Sequence, residues 1–207
     1  MPDPLKESHV DSKTDPTVAN QWDDKTPKKQ QIEDFYKTVD GMKIGLLTTI
    51  RDGIGPVARA MAVAKREGPD FLFLANTHSN KFSDLAGDPT AQLTFQNSSS
   101  QDWVSVTGTV VTTANDDPRI KELYSKGTAA WFGDLGDGVH NGTAEDPRMA
   151  IIELRAKYIS YWKATVGTLG FVKEVAQASL TGQVANTGMQ RRLPEEDIEA
   201  MRKVPSS

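Results

Sequence analysis

Apolar residues recur at helical spacing near the start of the chain and then fall into short strand-like runs. Ile32, Phe35, Tyr36 and Val39 lie at i, i+3, i+4 and i+7, which predicts an amphipathic helix that Gly41 ends. The runs that follow are rich in β-branched residues and are separated by turn residues. They predict six strands, at Ile44–Ile50, Val57–Ala64, Phe71–Asn76, Ala91–Gln96, Trp103–Thr113 and Met149–Trp162.

Short helical segments lie between some of these strands, but strands and helices do not alternate regularly along the chain. Short helices are predicted at Ser79–Ala86 and Pro118–Tyr124, and a Gly- and Asp-rich loop at Gly133–Pro147. Gly108, inside a strand, indicates a close backbone approach or a bulge. The pattern therefore predicts a mainly β fold with flanking helices, built as a small antiparallel barrel.

The polar ends of the chain set the predicted domain boundaries. A chain of 207 residues suffices for one compact domain. Residues 1–28 are predicted to form a polar N-terminal arm, residues 29–182 the barrel, and residues 183–207 a polar tail. Pro194 and the two glutamates after it predict a short helix in that tail.

Charge and composition exclude several classes of protein. The net charge is −4 with no Lys/Arg-rich run, so nucleic acid is not an expected partner. The absence of cysteine excludes disulfides and thiolate chemistry and suits the cytosol. The polar N-terminus predicts neither a signal peptide nor a membrane span, so we expect a cytoplasmic protein. His9, His78 and His140 lack metal-ligand spacing, and no metal site is expected.

The segment Leu74–Leu85 carries the most distinctive candidate chemistry. A strand ends near Asn76 and a helix opens near Ser79, so the first-turn amides are unsatisfied donors. Lys81 lies in that first turn, where the helix dipole disfavours a cation unless an anion is bound. Thr, Ser and Lys at a helix N-terminus can form a phosphate site. The local pattern alone nevertheless favours an ordinary capped helix with a solvated lysine.

Arg59 is the second candidate for binding an anion. It lies within a predicted strand on the face of Met61 and Val63, with small alanines on either side. An arginine in that position either extends its head to solvent or pairs with an anion. The strand pattern leaves both interpretations equally open.

The order of motifs resembles a known family. Val57-Ala-Arg-Ala-Met-Ala62, then Leu72–Asn76 and Ser79-Asn-Lys81, resemble the split-barrel flavoproteins related to pyridoxamine 5′-phosphate oxidase. A strand like Trp103–Gly108, the Trp131-Phe132 pair and the final Tyr161-Trp162 are similar to the general-stress-protein branch and its fungal blue-light-inducible members. The likeness extends over about Lys29–Phe171.

The resemblance implies a six-stranded antiparallel split barrel of Greek-key type, dimeric, with FMN at the dimer interface. Arg59 and Lys81 would hold the phosphate with help from Ser79 and Asn80. The main chain of Ala60, Met61 and Ala62 would face the isoalloxazine ring. The other residues that the resemblance places near the flavin are Asn76 and Thr77 at the ribityl and phosphate oxygens, Gln96 and Trp103 on neighbouring strands, and Trp131, Phe132 and Trp162 as walls of the ring. For the last three, plain core packing remains an equal alternative.

Two departures from the family pattern affect the expected activity. Many relatives have Ser-Arg-Lys where this chain has Ser79-Asn80-Lys81, so one phosphate cation is missing, and Lys65, Arg66 or His78 are candidates to replace it. No histidine follows His140, whereas the oxidase proper carries a C-terminal Arg- and His-containing segment for its substrate. Pyridoxamine phosphate oxidation is therefore not expected.

Three functions stay open at this point. The first is an FMN-dependent oxidoreductase of unknown small-molecule substrate, linked to stress response. The second is a non-catalytic flavin carrier or sensor, without a flavin–thiol photoadduct because cysteine is absent. The third is a barrel that has lost flavin and serves in protein association.

Overall fold

The computed structural model describes Asp23 and residues 25–203, so most of the predicted arm at residues 1–28 lies outside the described residues. Its helices are α1 (Lys28–Asp40), α2 (Asn80–Gly87), α3 (Arg119–Leu123), α4 (Lys126–Ala129), α5 (Thr168–Thr181) and α6 (Glu195–Arg202). Its strands are β1 (Ile44–Arg51), β2 (Gly55–Ala62), β3 (Lys65–Glu67), β4 (Asp70–Asn76), β5 (Thr90–Gln96), β6 (Trp103–Thr112), β7 (Met149–Ala164) and β8 (Gly188–Leu193).

The predicted helices and strands are confirmed with small shifts at their ends, and four elements were missed: β3, α4, α5 and β8. The predicted strand Val57–Ala64 is instead β2 followed, after two residues, by the short strand β3. Helix α5 was not predicted. Strand β8 was not predicted either, and it lies in the segment that the sequence indicated as a polar tail. The short helix expected after Pro194 is present as α6.

The strands form a mainly antiparallel sheet in the order β2-β1-β5-β6-β7-β4-β3, and β8 also pairs with β7. The described residues thus contain eight strands, and the six-strand count is not confirmed. Only Val63 and Ala64 separate β2 from β3, the two ends of that order. The amide of Val63 donates to the Lys43 carbonyl, and the amide of Ala64 to the Leu72 carbonyl, both at 2.9 Å.

By contacts, the chain forms two units. The large unit comprises Met42–Phe95, Ser105–Ile159 and the chain from Leu193. Alternate residues of β1, β5 and most of β6 are buried, as the period of two requires, whereas β4 and the first half of β7 have runs of consecutive buried residues and β2 has none. Phe71 and Phe95 lie in this core with ring centroids 5.6 Å apart. Its other buried residues include Leu47, Leu72, Phe73, Leu93, Val106, Ile151, Ile152 and Leu154.

The small unit comprises the chain up to Gly41, Gln96–Val104 and Ser160–Arg192. Phe35 of α1 packs on Tyr161, whose hydroxyl donates to the Gln31 carbonyl at 2.5 Å. Arg191 is buried in this unit because two carboxylates compensate its charge. Its Nε donates to Asp23 at 2.7 Å, and its Nη1 to Asp34.

The close approach predicted at Gly108 is confirmed. A Cβ at this position would lie 1.9 Å from the Arg155 carbonyl oxygen, a distance that no side chain tolerates. Glycine is therefore required for β6 and β7 to lie this close.

Two negative findings apply to Asp23 and residues 25–203. None of their helices is long and apolar enough to cross a membrane. Across the same residues, no three His, Cys, Asp or Glu side chains group as metal ligands would.

Candidate functional site

The inner face of the hairpin β1–β2 carries Arg59, opposite Leu47 in the antiparallel register. Its side chain is 22% exposed. Nη1 donates to the Leu47 carbonyl at 3.2 Å and to Thr49 Oγ1 at 2.7 Å, and Nη2 donates to Asp84 at 3.1 Å. Three hydrogen bonds thus hold the guanidinium within the large unit instead of leaving it in solvent. The structure pairs the guanidinium with the chain's own carboxylate Asp84, and binding of a ligand anion by Arg59 stays a prediction.

Asp84 of helix α2 accepts hydrogen bonds from three side chains. Its carboxylate is 4% exposed and accepts from Arg59, from Thr49 Oγ1 at 2.8 Å and from Arg51 Nε at 2.9 Å. The hydrogen bond from Arg51 is the largest cause that holds the pKa of this carboxyl below its usual range. Asp84 is therefore a carboxylate shared by two arginines.

Lys81 lies one helical turn before Asp84 and has a different environment. Its Nζ donates to Ser79 Oγ at 2.5 Å, and no described carboxylate pairs with it. Burial, and then the nearby charge of Arg59, lower the pKa of Lys81 below its usual value. The two cations whose binding of one phosphate the resemblance implied are thus close enough to repel each other.

The loop before α2 is ordered by its own short side chains. The His78 amide donates to Asn76 Oδ1 at 2.9 Å, and the Ser79 hydroxyl donates to the Asn76 carbonyl at 2.6 Å. The amide of Thr77 donates to the Arg148 carbonyl at 2.8 Å. Ser79 occupies the N-cap position but makes no side-chain cap bond. The ordinary cap that the local sequence favoured is therefore absent, and the first-turn amides lack that acceptor.

A cavity of about 700 Å³ opens beside this cluster. It is lined by Ile50, Arg51, Asp52, Asn80, Ser83, Asp84, Gly87 and Asp88. We call Arg51, Arg59, Lys81 and Asp84 the cation cluster; these four side chains together carry a charge of +2, whereas Asp52 and Asp88 add two negative charges to the wall of the cavity. A net positive charge that is partly withdrawn from water is costly unless an anion binds. Binding of an anion by this cluster stays a prediction.

The remaining predicted residues of the large unit lie in varied settings. Ala60 and Ala62 are exposed on β2, and Met61 is half-buried. Trp131 is 86% exposed, whereas Phe132 is buried in a core cluster with Leu72, Ile120, Met149 and Ile151. Phe132 thus fits the packing alternative, and its role toward a flavin stays a prediction.

Three predicted residues belong to the small unit. Gln96 is exposed, and its side-chain oxygen accepts from the Ser98 hydroxyl at 3.2 Å. Trp103 and Trp162 are half-buried. The Trp162 ring lies 2.4 Å from the position that a Cβ on Gly188 would take, so glycine there makes room for the indole. Flavin contacts by these three residues stay predictions.

The sequence missed Thr49, Arg51 and Asp84. The alternation that places Arg59 inward also places Leu47, Thr49 and Arg51 inward, and Asp84 follows Lys81 at i+3 on α2. Both signals were present in the sequence. They were not used because the pairing of β1 with α2 is a long-range contact.

The residues proposed to replace the missing cation have other contacts. Lys65 pairs with Glu67 at 2.7 Å, and Arg66 Nη1 donates to the Gly68 carbonyl at 2.7 Å. His78 is exposed. Within the part of the chain that the structure describes, Arg51 is the additional cation that shares a partner with Arg59.

Comparison with known proteins agrees with this architecture. The protein bli-3 of Neurospora crassa is 36% identical over 191 residues, covering 91% of each chain. A Clostridium acetobutylicum protein related to general stress protein 26 has a similar fold, with a TM-score of 0.58 at 17% identity over 83% of this chain and 99% of that one.

An FMN-binding protein of Nostoc punctiforme, described as related to pyridoxamine 5′-phosphate oxidase, also has a similar fold. Its TM-score is 0.52 at 12% identity, over 67% of this chain and 85% of that one. The family described as pyridoxamine 5′-phosphate oxidase like matches residues 30–186. The chain therefore belongs to the pyridoxamine 5′-phosphate oxidase-like family.

Proposed function

We propose that this protein binds FMN, with the flavin phosphate held by Arg59 and Lys81 at the start of helix α2. The main support for the proposal is the cation cluster, because the +2 charge of its four side chains is opposite in sign and similar in size to that of a phosphate monoester near neutral pH. Ser79 and Asn80, together with the uncapped first-turn amides, would complete the phosphate contacts. These residues fit the cofactor that the family implies.

The flavin ring would lie along β2. Every residue of this strand is exposed or half-buried, although β2 pairs with β1 along its whole length. Met61 shares the strand face of Arg59, and the small side chains of Ala60 and Ala62 leave the backbone open to a flat ring. Asn76 and Thr77 would contact the ribityl and phosphate oxygens. Gln96, Trp103, Trp131, Phe132 and Trp162 remain the proposed surroundings of the ring.

We also propose that the sheet is the six-stranded split barrel of Greek-key type found in this family. Counting β2 and β3 as one bent strand, and β8 as an addition, gives six. The hydrogen bonds of Val63 to Lys43 and of Ala64 to Leu72 support that count, because they continue the pairing on both sides of the bend.

A homodimer with FMN at its interface is part of the proposal. The outer face of the hairpin β1–β2 is apolar and uncovered: Ile44 is 63% exposed opposite Ala62, and Leu46 is 50% exposed opposite Ala60. A contiguous exposed apolar patch of this kind is typical of an interaction surface. We infer that a second copy covers it.

As an activity, we propose a flavin-dependent oxidoreductase with a small-molecule substrate. Bound FMN would supply reversible electron and hydride transfer, and the protein would bind and orient it. The link to stress response rests on the family resemblance, and the proposed cytosolic location is supported by the lack of cysteine. A carrier without turnover and a flavin-free association module are the competing outcomes of the test.

The test compares FMN with riboflavin, which lacks the phosphate. Arg59→Ala and Lys81→Ala should each weaken FMN binding about ten-fold or more, measured by quenching of flavin fluorescence, since one charged hydrogen bond contributes about 1.5–3 kcal/mol. Riboflavin binding should change little. Equal losses for both ligands would contradict the phosphate assignment, and wild-type protein that binds neither would exclude a flavin function.

Turnover is tested separately on the FMN-loaded protein. Anaerobic mixing with NADH or NADPH should bleach the flavin absorbance if the protein is a nicotinamide-linked reductase. Unchanged absorbance would favour a carrier over that activity.

A further inference from the structure

Helix α5 lies on the surface of the small unit with its amphipathic pattern reversed. None of its described residues is fully buried, and the half-buried ones are Gly170, Phe171, Glu174 and Ala178. Their spacing of three and four residues places them on one face of the helix, the face toward the rest of this unit. A surface helix normally carries its charged residues on the opposite face, whereas the outward face of α5 is apolar.

The outward face is formed by Leu169, Val172, Ala176 and Leu180, which we call the α5 stripe. These residues follow one another at i, i+3, i+7 and i+11 and therefore share one side of the helix. Both leucines are 89% exposed and Val172 is 61% exposed, so no described part of the chain covers the stripe. A continuous exposed apolar strip of this kind is typical of an interaction surface.

The polar residues beside the α5 stripe are compatible with its burial. The Ser179 hydroxyl donates to the Val175 carbonyl at 2.8 Å, so this group keeps its hydrogen bond when water is removed. Lys173 is the only charged residue on the exposed side of the helix, and its long side chain can keep the ammonium group in solvent. Covering the stripe would therefore leave neither group without a partner.

The spacing of the α5 stripe fits a second copy of the same helix. The pair Leu169 and Leu180 and the pair Val172 and Ala176 are both centred at about position 174. In two antiparallel copies, each Leu169 would meet Leu180 of the second copy, and each Val172 would lie over Ala176 of the second copy. The valine would fill the space that the alanine leaves, whereas a parallel pair would place Ala176 on Ala176 and leave a gap. Antiparallel helix dipoles also attract each other.

We propose that α5 of one copy packs antiparallel on α5 of a second copy through the α5 stripe. A two-fold contact requires such a self-complementary surface. A membrane is a poorer occupant, because membrane-surface helices carry several Lys or Arg and α5 has one Lys and one Glu. The helix has 14 residues and is about 21 Å long, so it buries less than the roughly 800 Å² per partner of a typical stable interface. The contact therefore adds to the one proposed for the hairpin β1–β2.

Disulfide cross-linking tests the contact directly, because the chain has no cysteine of its own. The double variant Leu169→Cys/Leu180→Cys should form, on mild oxidation, a covalent dimer of twice the 22.6 kDa chain mass on a non-reducing gel. The two cysteines of one chain are about 16 Å apart along the helix, and a disulfide needs Cα atoms within about 7 Å. The bonds must therefore join two copies.

Each single variant is the matched control. In the antiparallel pair, two copies of position 169 are also about 16 Å apart, so Leu169→Cys alone should stay monomeric on the gel, and so should Leu180→Cys. Adding Ala176→Glu to the double variant should abolish the covalent dimer, because it would place a carboxylate against Val172 of the second copy. All these positions are exposed, so the fold of the chain should be unaffected.

The readout needs no flavin, so its result does not depend on the proposed function. If Leu169→Cys alone cross-links as well as the double variant, the antiparallel pairing is wrong. If the double variant does not cross-link, another partner covers the stripe and the inference fails. If it cross-links only after residues 1–22 are removed, those residues cover the stripe in the full chain, and the inference also fails.

Discussion

Arg59 and Asp84 form a salt bridge at 3.1 Å between strand β2 and helix α2, 25 residues apart in the chain. The pair connects the hairpin to the helix that carries Lys81. The carboxylate is nearly buried, whereas both arginines that it contacts keep part of their surface in water. Asp84 therefore stabilises the cluster, while an excess of positive charge remains for an anion.

Asp84→Asn should lower the free energy of unfolding of the ligand-free protein by about 2–3 kcal/mol, since two adjacent arginines lose their counter-charge. Inorganic phosphate or FMN should then raise the melting temperature of this variant more than that of wild type, because the anion replaces the carboxylate. Thermal unfolding with and without phosphate measures both effects. Asp88→Asn, in the same cavity wall, is the control. An equal phosphate-induced shift in Asp84→Asn and wild type would contradict the prediction.

The carboxylate of Asp146 should make the free energy of unfolding fall at acid pH. It is fully buried and accepts from Arg148 Nη2 at 2.6 Å and from the Gly142 amide at 2.7 Å. The hydrogen bond from Arg148 is the main cause that holds the pKa of Asp146 far below its usual range. The contribution of Asp146 to the free energy of unfolding is therefore complete above about pH 4, which is the pKa of an aspartate in the unfolded chain. It is lost as the pH falls further.

Asp146→Asn should cost about 3 kcal/mol at pH 7 in urea unfolding, because it leaves Arg148 buried without a counter-charge. The difference from wild type should shrink below pH 4. Asp116→Asn, at an exposed carboxylate away from Arg148, should change little. A difference that stays constant from pH 7 to pH 3 would show that ionisation of Asp146 is irrelevant.

The hydroxyl of Tyr161 should make the free energy of unfolding fall at alkaline pH. Burial raises the pKa of Tyr161 to about 12, and its hydroxyl donates to the Gln31 carbonyl. The unfolded tyrosine loses its proton near pH 10, so the contribution is complete below pH 10 and is lost as pH rises toward 12.

Tyr161→Phe should therefore be about 1 kcal/mol less stable than wild type at pH 8, and this deficit should vanish or reverse between pH 10 and pH 12. Chemical unfolding across that range measures it. Tyr158→Phe, on a ring that is 40% exposed, should leave stability at pH 8 unchanged. A deficit that persists at pH 12 would be evidence against a buried, neutral Tyr161.

Gly108→Ala should be among the most destabilising single substitutions in the sheet. The new Cβ would meet the Arg155 carbonyl oxygen at 1.9 Å, and backbone on both strands would have to move. We expect a loss of about 3 kcal/mol or more. Gly127→Ala, within helix α4 and 3.6 Å from its nearest neighbour, should be neutral or slightly stabilising. Similar melting temperatures for both variants would contradict this account.

Leu46→Lys tests the proposed dimer. A charge placed at the centre of the apolar outer face of β1–β2 should convert a dimer to a monomer of 22.6 kDa, measured by light scattering during size-exclusion chromatography. Val111→Lys, at another exposed apolar residue of the large unit, should leave the mass unchanged. Wild-type protein that already runs as a monomer would disprove the dimer itself.

Local patterns were sufficient for much of the fold. The stripe of Phe35 and Val39 predicted helix α1, and the β-branched runs predicted the main strands, because burial imposes a period of 3.6 or 2 on the sequence. Gly108 was identified because a strand tolerates glycine only where backbones approach closely. In contrast, β8 is six residues long and contains two arginines, and its pattern indicates a polar segment. It is a strand because it pairs with β7 in the folded chain, where the carboxylates of Asp23 and Asp34 compensate the charge of Arg191.

The candidate site, too, could be predicted in part from the sequence and in part only from the tertiary structure. The sequence alone determined that Arg59 lies within a strand on the face of Met61 and Val63, and that Lys81 lies in the first turn of a helix that follows a strand, because both facts depend only on neighbouring residues. It also determined which cations were available. Only the tertiary structure decided that Asp84 joins Arg51 to Arg59, and that the cluster keeps a net charge of +2. Charge compensation depends on distance in space: Arg51 and Asp84 are 33 positions apart in the chain and come within 2.9 Å only after the sheet has folded.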